Sequence, residues 1–339
     1  MTLEDEGAGL HAPRAFTPEE LVACERCSRA NAPTRMNCLY CGAAMPRTAE
    51  SAALLRPTLR KLEEWEQGYN VVIVPRAWWA AAPDKVAAAA SLLKLEASHL
   101  GQCVATRRAL PVARAGSSEE AELILERLGA LGLAAEVFDD GALGMGEPHA
   151  RVRSLEMTAE ALVVWEGRDA APETLPWPSV SLLVKGRVTR KRLEVEERQG
   201  VFRRRGELVE SRELASDESV LDLYASGSGA AKGWRLWADH LDYSRLGARK
   251  ALTAGENFKT LVGELRTRAA AAVLDEEYAR LRPLLTAVWP PSEHNESHGV
   301  RRESVGRYNT GAVTTVTNET QFTRYSRLLS RLVADGRAL

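Results

Sequence analysis

The chain has 339 residues, 45 Lys and Arg against 46 Asp and Glu, and a formal net charge of -1. That length is enough for two or three domains. The near-zero charge excludes a global field that would draw in nucleic acid or membrane, so any such binding must come from a local patch.

Residues 1–20 are small, polar and acidic without periodicity and are expected as a disordered tail. Met1–Gly9 lacks the apolar stretch of a secretory leader. Ala77–Leu95 is broken by Pro83, Asp84 and Lys85, short of the roughly 20 apolar residues of a spanning helix. A cytoplasmic protein is the expectation. Five cysteines, an odd number, argue against a disulfide framework.

Four of them form two Cys-x-x-Cys pairs, Cys24/Cys27 and Cys38/Cys41, ten residues apart. Each pair makes a tight turn that aims both sulfurs at one centre. Two such turns facing each other supply the four thiolates of a tetrahedral zinc site. Gly42 eases the second turn. With four protein ligands no position is left for water, so the expected cofactor is one structural zinc ion. Zinc with four thiolates carries two net negative charges, which Arg26, Arg29 and Arg35 are placed to offset. Residues 21–46 are thus expected as a zinc ribbon, and 47–68 as a linker helix over Ser51–Gln67.

From Tyr69 to Asp140 the pattern is strand, helix, helix, strand, helix, strand. Val71–Val74 is a short apolar run ended by Pro75. Pro83-Asp84 opens an Ala/Leu helix, and Ser98–Thr106 follows as a second. Leu110–Ala115 is a strand. Ser117 and Glu120 form a capping box before the stripe Ala121, Ile124, Leu125, Leu128, Leu131, and Ala134–Phe138 closes the unit. Cys103 is expected in the core.

Gly141–Gly146, within 141–150, reads as a linker. Residues 151–288 read as a strand-rich domain. Val152–Met157, Ala161–Trp165, Val180–Val184, Leu221–Tyr224 and Trp234–Trp237 are its strands, and a helix beginning near Ala254 closes it. Trp234 and Trp237, three apart, face opposite sides of a strand. The pairs Trp78-Trp79 and Trp234/Trp237 are expected in core or interface. Residues 289–312 are expected as a loop, including His294-Asn295-Glu296-Ser297-His298, where Glu is misplaced for a metalloprotease helix. Residues 313–339 are expected as an extended segment and a helix carrying Phe322, Tyr325, Leu328, Leu329 and Leu332. The fold class is α+β, multidomain.

Lys185–Arg205 holds nine basic residues, including Arg190, Lys191, Arg192, Arg203, Arg204 and Arg205, against Glu194, Glu196 and Glu197. It is either a solvated hairpin or a patch for RNA phosphates or acidic lipid headgroups. No phosphate loop, dinucleotide fingerprint or nucleophile elbow occurs.

Three resemblances rest on these residues. The Cys-x2-Cys-x3-Asn-x6-Cys-x2-Cys spacing, with Asn31 at its asparagine, resembles the Ran-binding-protein class of zinc fingers, which implies binding of single-stranded RNA or ubiquitin. Val22 stands where that class stacks a base on Trp, Thr34-Arg35 where it pairs arginines, and Ser28-Arg29 where it carries Thr-Phe. Leu110–Phe138 resembles the ribosomal stalk protein C-terminal domain and the related Clp adaptor fold. Ser98–Gln102 replaces the turn and lysines used there for factor contact. The strands followed by an amphipathic helix are similar to a pleckstrin-homology-like barrel. Together these imply a non-enzymatic zinc-ribbon adaptor for a protein partner, or alternatively an RNA- or ribosome-associated protein using the ribbon and the basic patch.

Overall fold

The computed structural model describes residues 16–46, 55–63, 65–74, 82–167, 170–200, 207–226, 232–304 and 307–337. It is α+β and divides into two units, Met1–Thr58 and Leu59–Leu339. In the first, β1 (Val22–Ala23) pairs antiparallel with β2 (Ala30–Asn31).

The second unit begins with the expected βααβαβ order: β3 (Tyr69–Ile73), α1 (Pro83–Leu93), α2 (Ala97–Ala105), β4 (Leu110–Ala115), α3 (Ser118–Ala130) and β5 (Ala135–Asp139). The sheet order β4-β3-β5 is antiparallel throughout. Ser117 caps α3 by accepting the Glu120 amide, while the Glu120 carboxylate accepts the amides of Leu59 and Gly116.

Next come β6 (Ala150–Val152), β7 (Ser154–Met157), β8 (Ala161–Trp165), β9 (Glu173–Pro176), β10 (Val180–Gly200), β11 (Glu207–Ala225) and β12 (Trp234–Trp237). Then follow α4 (Ala254–Arg268), β13 (Val273–Asp275), α5 (Tyr278–Leu285), β14 (Ser292–Ser304), β15 (Arg307–Thr317) and α6 (Glu319–Ala334). The large sheet runs β14-β15-β10-β11-β12-β6, with β13 beside β10, and curls into a half-barrel packed against α6. Alternation along its strands separates two cores. On one side Leu182, Val184, Val220 and Tyr224 pack with α6, α5 and the βααβαβ elements. On the other, Leu183, Leu221, Leu223, Trp234 and Leu236 pack with β7–β9 and with Phe258, Leu261 and Leu265 of α4. Trp234 and Trp237 fall on opposite sides, as their spacing requires.

Four expectations are corrected. The helix over Ser51–Gln67 does not form among its described residues. Leu55–Glu63 has no regular structure, because Pro57 cannot donate to a helical ladder and Leu59 sits at φ 41°. Within 289–312, expected as a loop, Ser292–Ser304 and the residues from Arg307 onward are paired antiparallel strands. His294, Asn295 and Glu296 of β14 pair with Thr315, Thr314 and Val313 of β15, and this backbone ladder needs no apolar side chains. The helix lying inside the curl is α6, whereas α4, expected to close the barrel, covers the opposite face. Gly141–Gly146, expected as a linker, is a run of tight turns that buries Leu143 in the first core. Trp78-Trp79 lies outside the described residues.

Helix α6 crosses β10 at Gly186, where an added Cβ would stand 2.3 Å from the fully buried Phe322 ring. Gly186→Ala is therefore expected to cost about 1–3 kcal/mol through overpacking. Gly129→Ala, in open space on α3, is expected to stabilise by about 0.4–1 kcal/mol. Denaturant midpoints of the two variants, moving in opposite directions, check both.

Candidate metal centre and buried ion cluster

In the first unit the sequence spaces two identical turns. The Ser28 amide donates to the Cys24 carbonyl at 2.7 Å, and the Gly42 amide donates to the Cys38 carbonyl at 3.0 Å. The residue after each second cysteine is left-handed, Ser28 at φ 57° and Gly42 at φ 72°. Glycine takes that conformation freely, whereas serine is strained there.

The four Sγ atoms of Cys24, Cys27, Cys38 and Cys41 lie within 4.8 Å of one another. Cys24 to Cys41 and Cys27 to Cys38 are each 3.6 Å. A tetrahedral ion with metal–sulfur bonds of about 2.3 Å needs sulfurs about 3.8 Å apart. The donor set therefore fits one metal ion. Buried Asn31 joins the two turns: its Nδ2 donates to the Arg29 carbonyl (2.8 Å) and Cys38 Sγ (3.4 Å), and its Oδ1 accepts the Leu39 amide (2.8 Å).

Burial alone would raise the Cys38 thiol. Donation from the Tyr40 and Cys41 amides and from Asn31 outweighs it and brings the pKa down to about 6. At Cys27 the Arg29 amide pulls the pKa down, but burial and the other three cysteines push it up to about 12. Four thiols this close cannot all ionise beside one another, and a divalent cation removes that conflict. Cys103 belongs to the second unit, on the buried face of α2, with its thiol pushed up to about 11 by desolvation.

The basic stretch is organised differently. Arg190, Lys191 and Arg192 are exposed on β10, where alternation sends Lys191 to the side opposite its neighbours. Each stands near a carboxylate: Arg190 with Glu319 (3.4 Å), Lys191 with Glu213 (3.8 Å) and Arg192 with Glu194 (2.9 Å). Arg203, Arg204 and Arg205 lie outside the described residues.

A second constellation, not singled out from the sequence, lies under α6. Arg235 grips Asp222 with two bonds of 2.7 Å, one from Nε and one from Nη2. Its Nη2 also donates to Thr323 (3.0 Å). Tyr224 Oη stands 2.8 Å from both His149 Nε2 and Ser326 Oγ. Arg327 donates to the Leu143 and Glu147 carbonyls. Burial would raise the Asp222 pKa, but Arg235, His149 and Ser326 outweigh it and hold it below the usual carboxylate value. The signal was legible in principle: Leu221-Asp222-Leu223 and Trp234-Arg235-Leu236 each set one charge inside an apolar strand.

His149 titrates against this cluster. Burial pushes its pKa down to about 4. Asp222 pulls upward, while Arg235 and Arg327 reinforce the fall. The neutral ring is therefore favoured by the fold. Between pH 6.5 and about 4 the unfolded chain takes up a proton that the folded one refuses, so stability falls as pH falls through that window. The expected loss from His149 alone is about 2 kcal/mol between pH 6.5 and 5. Asp140 and Asp222, whose pKa values are lowered, act only below the ordinary carboxylate range. Urea midpoints at the two pH values should differ less in His149→Asn than in the parent.

No protein family, curated protein or solved structure matches the chain. Among the described residues no helix is long and apolar enough to cross a membrane.

Proposed function

We propose that the chain is a non-enzymatic adaptor whose N-terminal ribbon holds one structural zinc ion and docks a protein partner. The observation carrying this reading is the tip of the second turn. Leu39 and Tyr40, between two cysteines of the cluster, are 62% and 53% exposed. An apolar and an aromatic side chain turned to solvent on a rigid turn suit the anchor of an interface. Arg29 packs over the Tyr40 ring at 4.7 Å, which fixes the ring in place. Four thiolates in a closed tetrahedral set favour zinc in a structural role.

Two measurements test the proposal. Metal analysis of the chain purified without added metal is expected to give about one equivalent of zinc, and less than about half would remove the reading. Affinity capture with the parent chain and with Leu39→Ser/Tyr40→Ser is expected to lose one reproducible protein in the variant. An unchanged set of captured proteins would count against the tip as the docking point. Nucleic acid co-purifying with the chain, and released by raised salt, would instead favour the RNA-binding alternative.

A further inference from the structure

Inside the curl of the large sheet, beyond the first turns of α6, lies a cavity of about 930 Å³. Every strand of the half-barrel sends a side chain into it: Glu296 from β14, Thr315 from β15, Arg190 from β10, Glu218 from β11, Trp237 from β12 and Arg151 from β6. A small barrel ordinarily fills this space with its own apolar side chains. Here α6 and its Phe322 fill one end only, and the mouth is left open and polar.

We propose that this mouth is a binding site for a neutral oligosaccharide. Three observations select that class. First, several charges of the lining neutralise one another. Arg235 is held by Asp222, Glu319 stands 3.4 Å from both Arg235 and Arg190, and Arg324 faces Asp140 at 3.6 Å. Paired in this way these groups carry little field of their own, while the further carboxylates Glu147, Glu218 and Glu296 outnumber Arg151 and disfavour a phosphate. Second, the wall is too polar for a lipid, since burying its carboxylates and hydroxyls unpaired would be costly. In the middle of the wall the backbone is committed to the ladders between strands, so recognition falls to side chains of both kinds. Hydroxyl groups, which donate and accept, match that mixture.

Third, the rim carries an aromatic platform. Trp65 is 81% exposed, the highest value among the exposed aromatic side chains of the described residues, yet its neighbours are pinned. The Glu63 amide donates to Glu66 Oε2 at 2.8 Å, Arg60 pairs with the same carboxylate, and Arg114 donates to the Glu66 carbonyl at 2.6 Å. A sugar ring has C–H faces and hydroxyl edges, so it can lie on the Trp65 indole while its edges reach the wall. Arg151, stacked over Trp237 at 5.8 Å, supplies a planar set of donors on the β6 side, and Glu296 supplies acceptors on the β14 side.

The test is calorimetric titration of the full chain with maltohexaose, cellohexaose and chitohexaose. At least one is expected to bind saturably with Kd below about 1 mM. Trp65→Ala or Glu296→Ala, both at exposed positions, is expected to weaken binding by roughly tenfold with an unchanged unfolding midpoint. No saturation by any of the three at about 10 mM would overturn the proposal, as would affinity unchanged in both variants. Tighter binding of inorganic phosphate or of a mixed-charge peptide than of every sugar would also overturn it. The ribbon's zinc content is read in parallel, so failure here is distinct from failure of the adaptor reading.

Discussion

Chelation of metal from the full chain is expected to unfold residues 21–46 and to leave Leu59–Leu339 folded. The ribbon has almost nothing else to fold around. Its strands are two residues each, and its apolar core is Cys24, Cys38 and Met45, two of them ligand positions. Apolar burial on that scale cannot offset a backbone ordering cost of about 1–2 kcal/mol per residue. Metal binding in isolated ribbons of this kind supplies about 10–16 kcal/mol of apparent free energy, so folding and loading are one event. Cys38→Ser should reproduce the effect, since Cys38 Sγ is also the acceptor for Asn31 and the Tyr40 amide. Trypsin is the readout. Cleavage after Arg26, Arg29 and Arg35 should become fast without metal, while the pattern from Leu59–Leu339 stays the same. Protection of those three arginines in metal-free protein would refute the account.

The ribbon and the βααβαβ order were legible because each rests on a local rule. Two-residue cysteine gaps dictate the turns, and the apolar stripe Ala121, Ile124, Leu128 dictates the buried face of α3. The long hairpins were not, and the reason is physical. Of β10 and β11, only Val180–Val184, Val188 and Val220–Ala225 reach the cores, so the apolar residues gather there. Beyond them β10 and β11 run on with Arg, Lys and Glu on both sides, and exposed strands held by backbone bonds leave no hydrophobic pattern. The same holds for β14, where His294 and Glu296 face a polar cavity. The pairing of β10 with β15 joins residues more than a hundred positions apart, which no short-range signal can announce.

The cavity mouth shows the same limit at the level of the site. Its wall takes side chains from each of six strands, and these come from segments spread between Arg151 and Thr317. Alternation within any one of them is visible in the sequence. That the alternating sets converge depends on the strand order β14-β15-β10-β11-β12-β6, in which β6 joins the sheet beside β12 by parallel pairing.

Asp222→Ala is expected to be the most damaging single change in the second unit, at about 3–5 kcal/mol. Asp222 is fully buried and Arg235 is 5% exposed, so removing the carboxylate strands a guanidinium that is almost wholly shielded from water. Glu319, at 3.4 Å and a third exposed, is a poor substitute for two bonds of 2.7 Å. The loss would spread, because His149 Nε2 stands 3.4 Å from the Asp222 carboxylate and Ser326 hydrogen-bonds to it. For a unit whose total stability is of the order of 5–15 kcal/mol, that is a large fraction. The ion pair itself contributes little net free energy once its desolvation is counted, so removing both charges should cost less than removing one. Asp222→Leu/Arg235→Met is therefore expected to unfold at a higher denaturant concentration than Asp222→Ala. If the single variant fell within about 1 kcal/mol of the parent, or the double variant were the weaker, Arg235 would have to find another partner on α6. Thr323, already 3.0 Å from its Nη2, is the group that would be tested next.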